Sequence, residues 1–336
     1  GVENSAVGYK SLWSNSTGSS NCAIGNHAMV NNITGSQNVG VGKSALQNNV
    51  GGHNNTAVGV RALLQNTASG NTAMGYESMF NNQTGEGNAA FGFQSAFYQT
   101  TGYYNSSFGD LALHYNSTGS GNTAIGRTAL LSNVGGGENT AIGMEALYSN
   151  TVSGNTAVGF KSMLYNTEGT QNVAMGHYSM YSNQTGSKNI GIGVDALRNM
   201  TTGSDNIAIG QTALNQNVTS NKNIAIGNGA LYTYTGNNGL VAIGYDALRN
   251  NTSPWNIAIG TECLKTNTTG FNNAAVGYQA LINNTTGHDN VCMGMQSMSA
   301  NTIGSDNTAL GSHVMDFNVE GNQNTAIGKY ALTLNI

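Results

Sequence analysis

The sequence predicts an all-β chain, a parallel β-solenoid (β-roll) of 20 coils, on three observations. One unit, seen in plain form from Asn273 to Asp289 as NAAVGYQALINNTTGHD, recurs twenty times with a 17-residue period. Its fifth position is Gly in every copy, from Gly8 to Gly328. Its apolar residues keep fixed places, and each copy ends in a run rich in Asn, Thr, Ser and Gly, the residues that form turns.

Units begin at residues 4, 21, 38, 55, 71, 88, 105, 122, 139, 155, 172, 189, 206, 223, 240, 256, 273, 290, 307 and 324, and three of them are shortened to 16. So small a unit cannot bury its own apolar face and must stack on its neighbours. Residues 1–336 therefore read as a single repeat domain, not the two domains that length alone suggests.

Within the unit, position 4 is always apolar (Val7, Ile24, Val41, Ile125, Ile327) and position 9 is Leu or Met except at Ala96. Positions 3 and 8 are small, as at Ala141 and Ala146, with Val314 the main departure. Positions 3, 4, 8 and 9 are the expected core stripe, so Asp at Ile209 or Leu214 should bury an unpaired charge. A helix is disfavoured, because the Gly at position 5 and the terminal Gly, Thr and Asn leave runs too short to be stable. The pattern fits a strand at positions 1 to 5, a second strand at 7 to 11, and a turn at 12 to 17. The deletions fall at residues 67–70, 151–154 and 252–255, in the turn, where length changes leave strand register intact. Stacked about 4.8 Å apart, twenty coils would make a rod on the order of 95 Å long.

In-register stacking turns position 12, Asn in all but Gln99, Met200 and Tyr234, into an amide ladder. Charges stack as well: Arg61 over Glu77, Glu145 over Lys161, and Lys188, Asp205 and Lys222 in successive coils. Asp246 lies over Glu262, with Arg249 and Lys265 nearby to compensate, whereas Asp289 over Asp306 has no evident partner. Position 2 is Thr or Ser in many units but Val173, Ile190, Ile207, Ile224, Val241, Ile257 and Val291 in others. Apolar residues on both strand faces call for a second covering layer. A 17-residue coil is too narrow to supply it, so several chains are expected to pack along a common axis.

Composition narrows the function. A net charge of -4 with no Lys/Arg cluster offers no footprint for nucleic acid. No run approaches the roughly 18 apolar residues of a membrane helix, and no signal-peptide pattern opens the chain. Cys22, Cys263 and Cys292 fall at different repeat positions and read as small core residues, not as disulfides or metal ligands. His27, His53, His114, His177, His288 and His313 do not converge, and Gly135-Gly136-Gly137 is not followed by a helix N-terminus. No catalytic, cofactor-binding or metal residue is assigned, and no cofactor is expected. Aromatics recur at position 6 (Tyr9, Tyr76, Phe93, Phe160, Tyr245, Tyr278) and position 10 (Trp13, Phe80, Phe97, Tyr148, Tyr181, Tyr232). They suit either packing over neighbouring coils or contact with carbohydrate or protein. Sequons such as Asn116-Ser117-Thr118 and Asn284-Thr285-Thr286 follow from the turn pattern.

Through NTAIG, NTAVG, GYQAL and NNTTG, residues 4–336 resemble two related groups. The Gly-bearing strand motif is similar to the head repeats of trimeric autotransporter adhesins, which form left-handed parallel β-rolls. The longer unit resembles repeats of tail-fibre-type proteins of phages, large viruses and some bacteria. The resemblance implies a left-handed homotrimer, no enzymatic activity, and a structural fibre, filament shaft or adhesin exposed on a virion or cell surface, in contact with a host-surface glycan or protein. A carbohydrate- or ice-binding solenoid is the alternative; Val, Ile and Ala interrupting Thr at position 2 weigh against ice. Gly1 to Glu3 read as positions 15 to 17 and Ile336 as position 13, so the chain is expected to belong to a longer array or to stack head to tail.

Overall fold

The computed structural model describes residues 1–234, 236 and 239–334. The chain divides into two compact units, Gly1–Thr170 and Gln171–Ile336, each a parallel β-solenoid with one short strand per coil. The first unit carries β1 (Ser5–Val7) through β10 (Thr156–Val158), and the second β11 (Val173–Met175) through β20 (Thr325–Ile327). No helix occurs among the described residues. Within each unit equivalent residues pair, Ala6 with Ala23 and Ala23 with Gly40 in the first, Ala208 with Ala225 in the second. The shortened coils keep this register: Thr56 pairs with Thr72, and Ala242 with Ala258. The missing residue is taken out of the turn, as expected.

Two local expectations need correction. Each strand covers only positions 2 to 4, and positions 7 to 11 form no strand. In every coil the backbone has φ near +50° at position 9 and falls in the same left-handed region at position 7, with the intervening positions at negative φ. Ser44 and Leu46 show the pattern at +58° and +50°. This alternation sends the N–H groups of positions 7 and 9 to opposite neighbours: Ser44 N donates to Asn26 O at 2.9 Å in the coil before and Leu46 N to Ala62 O at 3.0 Å in the coil after, while Ala45 N between them donates to Gly42 O of its own coil at 3.3 Å. The arc is thus a hydrogen-bonded ladder without extended strands. Leu in the left-handed region is costly by about 1–2 kcal/mol per residue, and propensity hides such a conformation. Here full burial of the side chain and the coil-to-coil hydrogen bonds hold it.

The second correction concerns the core. Positions 3, 8 and 9 are buried, as at Ala57, Ala62 and Leu63, all fully inaccessible. Position 4, expected beside them, stands on the outward face with position 2, because strand side chains alternate. Ile24 is 43% and Ile209 36% exposed, while Leu214 is 0%.

Half of the interior is polar. At position 12 the amide ladder is present: Asn32 Nδ2 donates to Asn15 Oδ1 at 2.8 Å and Asn49 Nδ2 to Asn32 Oδ1 at 3.0 Å. Asn335 and Ile336 lie outside the described residues. A second buried ladder runs through position 1, Asn in every coil except at Leu240. Asn38 donates from both its backbone N and its Nδ2 to Asn21 Oδ1, at 3.0 and 3.1 Å. The two ladders share an acceptor, since Gly52 O takes Nδ2 hydrogens from Asn38 at 2.8 Å and Asn49 at 2.9 Å. Shut away from water, such groups are stabilising only while every one of them is paired. At Gln99 the longer side chain reaches Gly102 O and leaves Asn82 Oδ1 buried with no donor.

Candidate functional site

Most candidate groups have structural roles. Arg61 pairs with Glu77 at 2.7 Å and Lys161 with Glu145 at 3.5 Å, as the stacking suggests. Arg249 and Lys265 reach Asp246 at 2.5 and 3.2 Å, and Lys265 also holds Glu262 at 2.7 Å. Asp289 does have partners: His288 Nδ1 at 2.8 Å and Asn272 Nδ2 at 3.1 Å, which hold its carboxyl below the usual range. Lys188, Asp205 and Lys222 form no ion pair among the described residues.

Cys263 and Cys292 fill buried slots at positions 8 and 3, and burial pushes the Cys292 thiol up to about 12 and the Cys263 thiol further. Cys22 is half-buried on the outward strand face. The sequon residues Asn116 and Asn284 are fully buried in the position-12 ladder. Folding therefore withdraws them from any modifying enzyme. Among the described residues no three His, Cys, Asp or Glu side chains gather as metal ligands, and no helix is long and apolar enough to cross a membrane.

Aromatics cluster in coils five to seven, where Tyr76 stacks on Phe93 (5.4 Å between centroids), Phe80 on Phe97 (5.1 Å) and Phe91 on Phe108 (4.7 Å). They pack over neighbouring coils and remain half-exposed, Phe93 by 49%. At position 6 the expected packing over neighbouring coils is present, and the rings keep an exposed face. At position 11, Tyr98 stacks on Tyr115 at 5.3 Å, a pair outside the columns the sequence singles out.

A concavity also lies in the first unit, between the position-11 and position-13 columns of coils one to five, with a volume of about 630 Å³. It exists because position 12 turns inward, so the residues on either side of it splay apart. Asn31, Asn48 and Gln65 form one wall, and Ile33, Val50 and Thr67 the other. Sequence reasoning missed it. The available signal was the uncharged, amide-rich run at position 11.

Comparison with protein-family models and with curated proteins finds no match.

Proposed function

We propose that this chain is a non-enzymatic structural fibre, filament segment or adhesin on the exterior of a virion or cell, working as a left-handed homotrimer. One observation carries the reading: the outward strand face is apolar. In the second unit position 2 joins position 4 in this, as in Ile257 and Ile259 (41% and 37% exposed) and Val291 and Met293 (45% and 54%). An exposed aliphatic face on a parallel sheet is a surface that protein partners cover. A second copy of the chain presents the same face, and symmetric self-association is the commonest solution. Head-to-tail stacking of copies belongs to the same reading, as does a host-surface glycan or protein as the contacted partner.

Light scattering of the purified chain tests it, with three times 34.7 kDa expected for the particle. A stable monomer at micromolar concentration would overturn it. The second reading, a carbohydrate-binding solenoid, is favoured by the amide-lined groove of the first unit.

A further inference from the structure

We infer that the groove between the position-11 and position-13 columns of the first unit is a binding site for an extended, neutral oligosaccharide. This deepens the adhesin reading by naming a ligand class and a place.

The groove's walls determine the chemistry. Asn31 Nδ2 donates to Asn48 Oδ1 and Asn48 Nδ2 to Gln65 Oε1, both at 2.8 Å, so the amides are held in a row. Each such amide has two donors and an oxygen with two lone pairs. The row uses one donor and one acceptor site on Asn48, leaving a second N–H and a second lone pair. The same free donor and acceptor recur with the coil spacing of about 4.8 Å, a step comparable to one pyranose of an extended polysaccharide. Hydroxyl groups both give and accept hydrogen bonds and so match such a row. On the opposite wall Ile33 and Val50, 41% and 45% exposed, offer aliphatic surface to the C–H face of a sugar.

Other ligands fit less well. A peptide adding as a strand needs free backbone groups. Here Asn31 N, Ile33 N and Asn48 N already donate to Gln47 O, Val50 O and Leu64 O at 2.9–3.0 Å. An anion or nucleic acid needs cations, and no Lys or Arg lines the groove. Ice needs a regular face, and the position-11 residues change from Ser14 to Asn31 to Gln65.

A separate observation marks one end. In the position-11 column Asn81 is followed by Tyr98 and Tyr115, stacked with 13° between their planes and 45% and 47% exposed. Aromatic rings beside side-chain amides combine an apolar platform with orienting hydrogen bonds, the usual composition of small-ligand sites.

The test uses the full chain on an array of neutral oligosaccharides, followed by calorimetric titration with cellohexaose and chitohexaose and with hexagalacturonate as the charged control. Binding of at least one linear neutral glycan is expected. Asn48→Asp with Gln65→Glu should weaken it tenfold or more, Val50→Arg should block the groove from its rim, and Tyr98→Ala should weaken it severalfold. Tyr278→Ala, an exposed ring in the second unit, should leave it unchanged. Melting temperature and particle mass are measured alongside, so a loss of binding at unchanged mass bears on the groove and not on the fibre. No neutral glycan bound, or binding undiminished in both Asn48→Asp/Gln65→Glu and Val50→Arg, would overturn the assignment.

Discussion

A Cβ built on Gly143 would stand 2.5 Å from the carbonyl oxygen of Gly159, the equivalent residue of the next coil. The backbone of Gly143 is also at φ +134°, a region side-chain-bearing residues rarely adopt. Neither obstacle yields, since the obstructing atom is backbone. Gly143→Val should therefore prevent folding or lower the melting temperature severely. Thr140→Ser, at half-exposed position 2 of the same coil, should cost no more than about 1 kcal/mol. Equal melting temperatures for the two variants would contradict this account of the Gly column.

Gln99→Asn is expected to stabilise the first unit. The shorter side chain restores a ladder donor beside Asn82 Oδ1, which lacks one at present. Relief of a buried unsatisfied acceptor is worth about 1–3 kcal/mol. Urea unfolding should show a higher midpoint, and a lower one would mean that the gap cannot close around Asn.

Leu214→Asp and Ile209→Asp separate folding from association. Leu214 is fully buried, so a carboxylate there should abolish folding of the second unit. Ile209 projects from the outward strand face, so its carboxylate should leave a folded chain but break self-association. Circular dichroism and light scattering on both variants distinguish these outcomes. Unfolding of both would place Ile209 in the interior of a single chain.

Acid should weaken the molecule through its charge columns. Burial works to raise the Glu77 carboxyl, but hydrogen bonds from Gln94 and Arg61 outweigh it and hold it below its ordinary value. Glu262 is held down chiefly by the Gln279 hydrogen bond, then by Lys265. Groups depressed on folding add stability above their unfolded pKa, about 4.3 for Glu, and lose it as pH falls through the folded value. Arg61 is 47% exposed, so solvent screens its pair and each contribution stays within about 1 kcal/mol. The melting temperature should fall below about pH 4.5, and more gently in Glu77→Gln/Glu262→Gln. Identical acid limbs would show that these two carboxylates do not contribute.

The period, the buried Ala and Leu columns and the position-12 ladder were legible because stacking turns each into a vertical row of like residues. Arg61 with Glu77, and Arg249 and Lys265 around Asp246, were legible for the same reason. The second strand was misread because Leu46 at φ +50° carries no local signature of the left-handed region. Ile209 was misassigned because an apolar residue looks the same on either strand face when only one face has a cover. The position-1 ladder was in view as a column of Asn, yet its meaning depends on the shared Gly52 acceptor, which links residues 38 and 49 through a turn. The groove needed knowledge that Asn32 and Asn49 point inward.

Position 17 allows the strain in the coil to be measured. Lys222 there has φ +58° and an exposed side chain, and its backbone N donates to Ser204 O at 3.1 Å, so the conformation is fixed by the ladder and not by the side chain. Asn occupies the same position at Asn54 and Asn272 with φ +59° and +54°. Asn enters the left-handed region more readily than Lys because its short polar side chain bonds locally, whereas a β-branched residue is strongly disfavoured there. Lys222→Asn should therefore raise stability by a few tenths to about 1 kcal/mol, and Lys222→Val should lower it by about 1–2 kcal/mol. Gln211, exposed at position 6 with negative φ, provides the control, since Gln211→Val meets no such penalty and should fall within about 0.5 kcal/mol of the parent. Thermal unfolding of the three variants decides the matter. Equal stabilities for Asn and Val at 222 would mean that this turn relaxes out of the left-handed region at no cost.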